Sequence, residues 1–275
     1  MFELDNTLLP EPESEQGALK RIVERCNASP TAYENWAPAV KKAGVSSPAT
    51  RVVPLSTALQ LSFLENHPET QEMTENLDQI VQAVEEMGKQ YGFPLFIKTS
   101  FTSNKHYWDE TCCLPSADRE TVFKHIAEIV FYQGFSPYPF SSSLLIRQML
   151  ETEAAFHAFG NMPVTKEFRF FAGSGKVEGY QPYWPKEAIE DHGPSVEDWE
   201  QKLEALSTLD DKDLNQLEKM AKAITSHLEG DWSVDFLKDR HGKWWLIDMA
   251  EARISYRNVL GFKTIEKASD LAPGL

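Results

Sequence analysis

The chain has 275 residues and a formal net charge of −15, from 42 acidic against 27 basic side chains. That balance excludes a protein that coats DNA or RNA, because phosphate binding needs clustered Lys and Arg, although it leaves room for a local basic groove. With 41% hydrophobic residues and no run of about 18 apolar residues, the chain reads as globular, without a membrane span. The acidic segment Met1 to Glu15 lacks the basic flank and apolar stretch of a signal peptide, so a cytoplasmic location is expected.

From the N-terminus, Glu15 to Cys26 reads as a helix, and Tyr33 to Ala43 as a second one closed by Gly44. Pro48 to Leu55 reads as a strand. Between Glu69 and Gln90 the apolar residues Met73, Leu77, Ile80, Val81, Val84 and Met87 recur at spacings of three and four, which predicts a long amphipathic helix. Gly92-Phe93-Pro94 breaks it, and Leu95-Phe96-Ile97 leads as a short strand into Lys98. Asp118 to Phe131 reads as another amphipathic helix, and Leu144 to Leu150 as a strand. Thr165 to Ala172 and Lys176 to Tyr183 flank Gly173-Ser174-Gly175, a β-hairpin signature. Pro194 to Leu228 is charged and helical. Trp232 to Leu237 and Trp244 to Met249 make a second hairpin.

The order αβα, βαβ, hairpin, helix, hairpin places the chain in the α+β class. The expected organisation is an N-terminal helical region over 1–50, a first lobe over 51–145 and a second lobe over 146–275. The second lobe is expected to carry a helical insertion at 186–228. Cys26, Cys112 and Cys113 lack the paired spacing and neighbouring histidines of a zinc site and read as reduced thiols. The segment FELDNTLL at 2–9 echoes a phosphatase aspartate motif, but Glu3 stands at the nucleophile position, and the match is set aside.

Four segments carry candidate chemistry. In residues 91–105 a strand delivers Lys98 into a loop of small and hydroxyl residues including Ser103, followed by Lys105. Such a loop can offer N–H groups, hydroxyls and positive charge to phosphate oxygens, though it also fits an exposed hairpin with solvated lysines. In residues 144–153 an apolar strand ends in Arg147, Gln148, Met149 and Leu150, with Glu151 and Glu153 beyond. Backbone groups at such a hinge can pair with a planar base edge, and a carboxylate can accept from ribose hydroxyls. The alternative is a buried strand followed by an acidic loop.

In residues 231–257, Asp235 and Asp248 sit amid apolar neighbours on adjacent strands, and Glu251 follows Asp248 by three. Carboxylates are disfavoured inside strands without a reason, and clustered hard oxygens suit Mg²⁺ holding nucleotide phosphates. The competing reading pairs them with Arg253 or Arg257 as salt bridges. In KEFRFF, residues 166–171, Arg169 shares a strand face with Glu167, which suggests either a guanidinium oriented for a phosphate or an Arg–Glu cross-link. Tyr180, Tyr183 and Trp184 follow among Pro182 and Pro185, either to line an acceptor pocket or to fill a gap. His106 and His157 lie near these loops.

The ordered set AGVSSPATRVVPL, GFPLFIK, LLIRQMLETE, SVDF and WLIDMAEA resembles the ATP-grasp superfamily over roughly residues 40–257. Within it the pattern resembles the compact, often phage-associated clade predicted to be RNA ligases, and the cell-division-cycle assembly chaperones of an initiation factor. The resemblance implies two α+β lobes with ATP between them. It implies Lys98 on the α- and β-phosphates, Lys105, Ser103 and Arg147 near them, and Gln148, Met149 and Leu150 on adenine. Glu153 or Glu151 would take the ribose, and Asp235, Asp248 and Glu251 would hold Mg²⁺, with Arg169 beside Lys98 as a catalytic cation. Arg51 would stand in for an early ATP-binding lysine that has no clear equivalent here. The implied function is an ATP-dependent ligase that activates a carboxylate or phosphate end of a small-molecule, peptide or RNA acceptor. The alternative is a non-catalytic ATP-binding assembly factor. An RNA acceptor would draw on Lys98, Lys105, Arg147, Lys166 and Arg169.

Overall fold

A computed structural model describes residues 14–64 and 70–265. The phosphatase-like segment 2–9 and the expected helix start at Glu69 lie outside the described residues. Helix α1 (Glu15–Asn27) begins where the Ser14 hydroxyl accepts from the Gly17 N–H at 3.2 Å. Helix α2 is Tyr33–Lys42, strand β1 Thr50–Pro54 and helix α3 Thr57–Leu64. Helix α4 (Gln71–Tyr91) is capped by Thr70 and buries Met73, Leu77, Ile80, Val84 and Met87, the stripe its periodicity predicts. Strands β2 (Leu95–Thr99) and β3 (Cys113–Leu114) precede helix α5 (Arg119–Gln133), which is capped by Asp118, and strand β4 (Ser143–Gln148) follows. Helix α3 has no counterpart among the elements expected from the sequence. TALQLSFL is apolar on most sides, so it carries no helical stripe.

These strands make an antiparallel sheet in the order β1-β4-β2-β3. Helices α3, α4 and α5 cover one face, and the core between holds Leu77, Ile80, Ile97, Ile126, Ile129 and Ile146. That is the first lobe.

The second lobe starts with the short hairpin β5 (Phe156–Ala158) and β6 (Met162–Val164), followed by β7 (Glu167–Gly173) and β8 (Lys176–Pro182). Ser174 and Gly175 both have positive φ, 49° and 71°, the geometry of a two-residue hairpin turn whose twist matches its strands. Helices α6 (Lys186–Glu190), α7 (Trp199–Leu206) and α8 (Asp211–Thr225) come next. Strands β9 (Asp231–Lys238), β10 (Trp244–Glu251) and β11 (Lys263–Thr264) complete the sheet β10-β9-β7-β8-β11.

The expected insertion at 186–228 divides in two. Helices α6 and α7 pack with β5, β6 and Trp184 in a cluster of their own. Helix α8 instead lies on the second sheet, with Leu217, Ala221 and Ile224 fully buried against the Phe168, Phe170 and Phe236 core. Its charged outer face hides that role in the sequence. Helix α2 joins the same core through Trp36, Ala39 and Val40, so this helix of the N-terminal region packs with the second lobe. No helix of the described residues is long and apolar enough to cross a membrane.

Candidate active site between the lobes

The lobes face each other across a cleft of about 730 Å³. From the first lobe, β2 sends Lys98 into its floor. The side chain is 2% exposed, and its Nζ donates to Asp248 Oδ2 of β10 at 2.7 Å, bridging the lobes. Burial pulls the Lys98 pKa down, and Asp248 opposes that pull.

Asp248 reaches this position because of a bulge. Trp244, Leu246 and Met249 all enter the second-lobe core, which breaks the two-residue alternation of β10. Leu246 pairs with Phe236 and Asp248 with Asp235, leaving Ile247 as the extra residue. The bulge turns both Ile247 and Asp248 to the cleft. The freed Ile247 carbonyl accepts from Arg147 Nη1 of β4 at 2.7 Å. Arg147 is 4% exposed, and its Nε has no partner among the described residues. Burial lowers its pKa, against the pull of Asp248 and Tyr33.

A row of polar side chains runs across the second sheet. Asp248 pairs in register with Asp235, Asp235 with Arg169, and Arg169 with Gln181. Arg169 holds Asp235 by two bonds, Nε to Oδ1 and Nη2 to Oδ2, each 2.8 Å. Burial works against the Arg169 charge, but Asp235 more than offsets it, so the guanidinium is held firmly protonated. Of the two readings of KEFRFF, the cross-link with Glu167 does not form. Glu167 takes Lys105 instead, at 3.0 Å, with the lysine 3.9 Å from the Tyr183 ring centre and 4.3 Å from that of Trp184. Despite its burial, Glu167 and Tyr183 hold Lys105 protonated.

The loop after Lys98 is internally bonded. The Thr99 hydroxyl accepts from the N–H groups of Phe101 and Thr102, and the Thr102 hydroxyl from that of Asn104. Those three amides, expected to face phosphates, are therefore spoken for. Ser103 lines the cleft, as do Gln148, Met149 and Leu150 at the hinge end with Pro94, Phe96 and Leu237.

Two carboxylates expected at the ribose are placed elsewhere. Glu153 is exposed and outside the cleft lining, and Glu151 pairs with Arg240 at 2.9 Å. Thr152, His157 and Asn161 line the wall in their place. Arg51 turns to Glu86 on α4, away from the cleft. His106 lines the cleft and stacks on Phe159 at 4.5 Å, with its pKa lowered by burial, Lys105 and His192. Tyr183 lines the cleft, whereas Tyr180 and Trp184 are buried in packing.

The expected trio of metal ligands does not assemble. Glu251 is held by Arg253, with Nε–Oε1 at 3.2 Å and Nη2–Oε2 at 3.0 Å, and it accepts from the Thr31 hydroxyl at 3.5 Å. Among the described residues no group of three His, Cys, Asp or Glu side chains could hold a metal ion. Of the other two, Asp248, 38% exposed at the cleft, fits Mg²⁺, which takes one or two carboxylates and completes its shell with substrate phosphates and water, whereas both oxygens of Asp235 are held by Arg169.

Residues 86–268 match an ATP-grasp domain family, clade family 3. No curated protein sequence matches the chain. The fold is similar to that of Cdc123 from Schizosaccharomyces pombe, with 15% identity and a TM-score of 0.51 over 84% of this chain and 85% of that one. D-alanine–D-alanine ligase from Bacillus anthracis complexed with ATP has 11% identity and a TM-score of 0.41, over 82% of this chain and 55% of that one. N5-carboxyaminoimidazole synthetase from Staphylococcus aureus complexed with ADP has 14% identity and a TM-score of 0.41, over 80% and 44%.

Proposed function

Since the chain belongs to this ATP-grasp domain family, we propose that it is an ATP-dependent ligase that activates a carboxylate or phosphate end. The observation that carries this reading is the row Asp248–Asp235–Arg169 facing Lys98 across the cleft. Adenine would lie at the Met149–Leu150 hinge, between Phe96 and Leu237. The phosphates would run along β2 to Lys98, whose buried charge is countered by Asp248.

Charge neutralisation by positioned groups in a water-poor cleft is the main contribution available to a protein in phosphoryl or nucleotidyl transfer. Lys98 and Arg169 would bind and orient phosphate oxygens. Asp248 would hold Mg²⁺, with Asp235 fixed beside it by Arg169, and the ion supplies charge neutralisation on the phosphates when bound. The acceptor's oxygen would attack the γ- or α-phosphorus and displace ADP or pyrophosphate, and a nucleophile would then attack the activated end and displace phosphate or AMP from it.

Calorimetry with ATP and Mg²⁺ tests the binding half. A dissociation constant between micromolar and low millimolar is expected, about −4 to −8 kcal/mol. No binding at millimolar ATP would overturn the reading. A second reading, an ATP-bound assembly factor without turnover, is favoured by one observation. Lys98, Lys105 and Arg169, three of the four cations expected at the phosphates, are already paired with carboxylates, and the fourth, Arg147, donates to the Ile247 carbonyl. Stoichiometric ADP or AMP release on addition of an acceptor separates the two.

A further inference from the structure

Helix α5 is apolar on two sides. One side buries Val122, Ile126, Ile129 and Val130 in the first-lobe core. The opposite side ends in Phe131, 46% exposed, and Phe135 follows just beyond the helix at 79%. Their rings meet edge to face with centroids 5.3 Å apart, and Phe131 meets Tyr132 in the same way at 5.5 Å. Tyr132 in turn stacks on Tyr107, which is 44% exposed, at 4.5 Å and 17° from parallel. The four rings form one continuous strip, and none of them lines the cleft. The strip stands apart from the ATP site, because α5 packs on Ile97 while the next residue, Lys98, points into the cleft from the other face of the sheet.

Negative charge edges the strip. Glu128 stands on α5 one turn before Phe131 and Tyr132. Glu110 lies in the turn after Tyr107, whose carbonyl accepts from the Glu110 N–H at 3.0 Å. The Tyr132 pKa is raised first by its bond to Tyr107 and also by the charge of Glu128 and Glu110, so both carboxylates lie close to the rings. Neither enters an ion pair among the described residues. The cation on this side of α5, Lys124, is taken by Glu120 at 2.6 Å, and Arg25 donates to the Pro137 carbonyl at 3.5 Å.

A contiguous exposed aromatic surface marks an interaction site, and here charge selects what covers it. A second copy paired through the same patch would bring Glu110 and Glu128 against their own kind, in a chain of net charge −15. Nucleic acid and anionic lipid meet the same repulsion. Segments 1–13, 65–69 and 266–275 hold Lys267 as their only Lys or Arg, so they lack the complementary charge. A planar guanidinium can stack on an aromatic ring while its edge bonds a carboxylate, which a lysine ammonium does less well.

We propose that this strip docks a basic protein segment in which arginines alternate with apolar residues. The arginines lie on Phe131, Tyr132 and Tyr107 and turn their N–H groups to Glu128 and Glu110. The apolar side chains between them cover Phe135.

The test uses the full chain and fluorescence anisotropy at physiological salt, where charges beyond about 8 Å are screened. Three labelled synthetic peptides of equal length and charge are compared: repeating Arg-Leu, repeating Lys-Leu and repeating Arg-Gly. The Arg-Leu peptide is expected to bind at least about fivefold more tightly than either of the others. Phe131→Ser combined with Phe135→Ser is expected to weaken it at least about tenfold with the melting temperature unchanged, because both side chains are exposed. Glu110→Gln combined with Glu128→Gln is expected to weaken it and to flatten its salt dependence. Equal binding of the three peptides would mean attraction to the net charge alone and overturns the proposal. A phenylalanine variant that binds like the parent, or no saturation by about 1 mM Arg-Leu peptide, overturns it as well. So does sedimentation that shows a dimer of the parent and a monomer of the phenylalanine variant, because the strip would then belong to a second copy.

Discussion

Two ion pairs a few ångströms apart on the cleft floor are built differently. Arg169–Asp235 joins neighbouring strands of one sheet, has both side chains largely buried at 15% and 6% exposure, and is bidentate. Lys98–Asp248 spans the lobes through a single bond, and its carboxylate is 38% exposed. The first pair has no room to exchange partners without leaving a buried charge behind. The second keeps one partner at the solvent edge, where a phosphate can replace Asp248 on Lys98 and free Asp248 for a cation. The contrast assigns Asp235 and Arg169 to a fixed scaffold and Asp248 to the exchangeable part of the site.

The strongest way to break that contrast is to remove the fixed cation. Arg169→Met leaves Asp235 buried and unpaired, and should cost about 3–5 kcal/mol in denaturant unfolding. A loss below about 1 kcal/mol, the range of an exposed pair, would mean that Asp235 finds another partner and that the scaffold is no more fixed than the bridge.

Lys105–Glu167 separates the two variables, since it crosses between lobes like Lys98–Asp248 yet is buried on both sides, at 17% and 5%. If burial governs, Lys105→Met should cost about 2–4 kcal/mol, because Glu167 then keeps only the Thr165 hydroxyl. If crossing governs, the cost should fall to that of an exposed pair.

Asp248→Asn should cost less, about 1–3 kcal/mol at neutral pH, because Lys98 can give up its proton when its partner is lost. A Lys98 pKa lowered below 10.5 means that the unfolded chain binds this proton more tightly than the folded one. Stability from this group is therefore lost as pH falls below 10.5 and recovered as pH rises toward it. Removing Asp248 takes away the largest opposing pull and widens the window. Unfolding free energy of the variant should then climb more steeply with alkaline pH than that of the parent. The same substitution should weaken ATP more in the presence of Mg²⁺ than in its absence. Parallel pH profiles would show that Lys98 has other support.

The features legible in the sequence are those with a strong local signal. The α4 stripe, the apolar strand that ends at Gln148 just before Met149 and Leu150, the Ser174–Gly175 hairpin and the placement of Asp235 and Asp248 on adjacent strands all follow from periodicity or turn chemistry. The bulge at Ile247 is half visible, because Trp244, Leu246 and Met249 cannot share a face in a regular strand. Part of what stays hidden depends on partners far along the chain. Helix α8 reads as a charged insertion until the sheet beneath it is known. Carboxylate spacing alone does not reveal that Glu151 turns to Arg240, whereas the Glu251–Arg253 pair is the salt-bridge reading of that segment. The hydroxyls of residues 99–104 look free for phosphates because a one-dimensional reading does not show that the loop satisfies its own amides.

Glu251 is where the smallest effect carries a sharp distinction. By spacing it is a third metal ligand; by position it braces Arg253, a side chain 70% exposed. Exposed pairs contribute about 0–1 kcal/mol, since water screens the attraction and two long side chains must be ordered. Glu251→Gln keeps the shape and removes the charge. Its unfolding free energy should stay within about 1 kcal/mol of the parent, and the Mg²⁺ concentration that half-saturates ATP binding should not move. A metal ligand behaves otherwise: loss of one carboxylate from the shell of a hard cation would raise that midpoint severalfold while leaving metal-free ATP binding unchanged. The two outcomes differ in a quantity that packing does not touch. A raised midpoint would return Glu251 to the metal and make the exchangeable region of the cleft two carboxylates wide, Asp248 and Glu251, while an unmoved one confines it to Asp248.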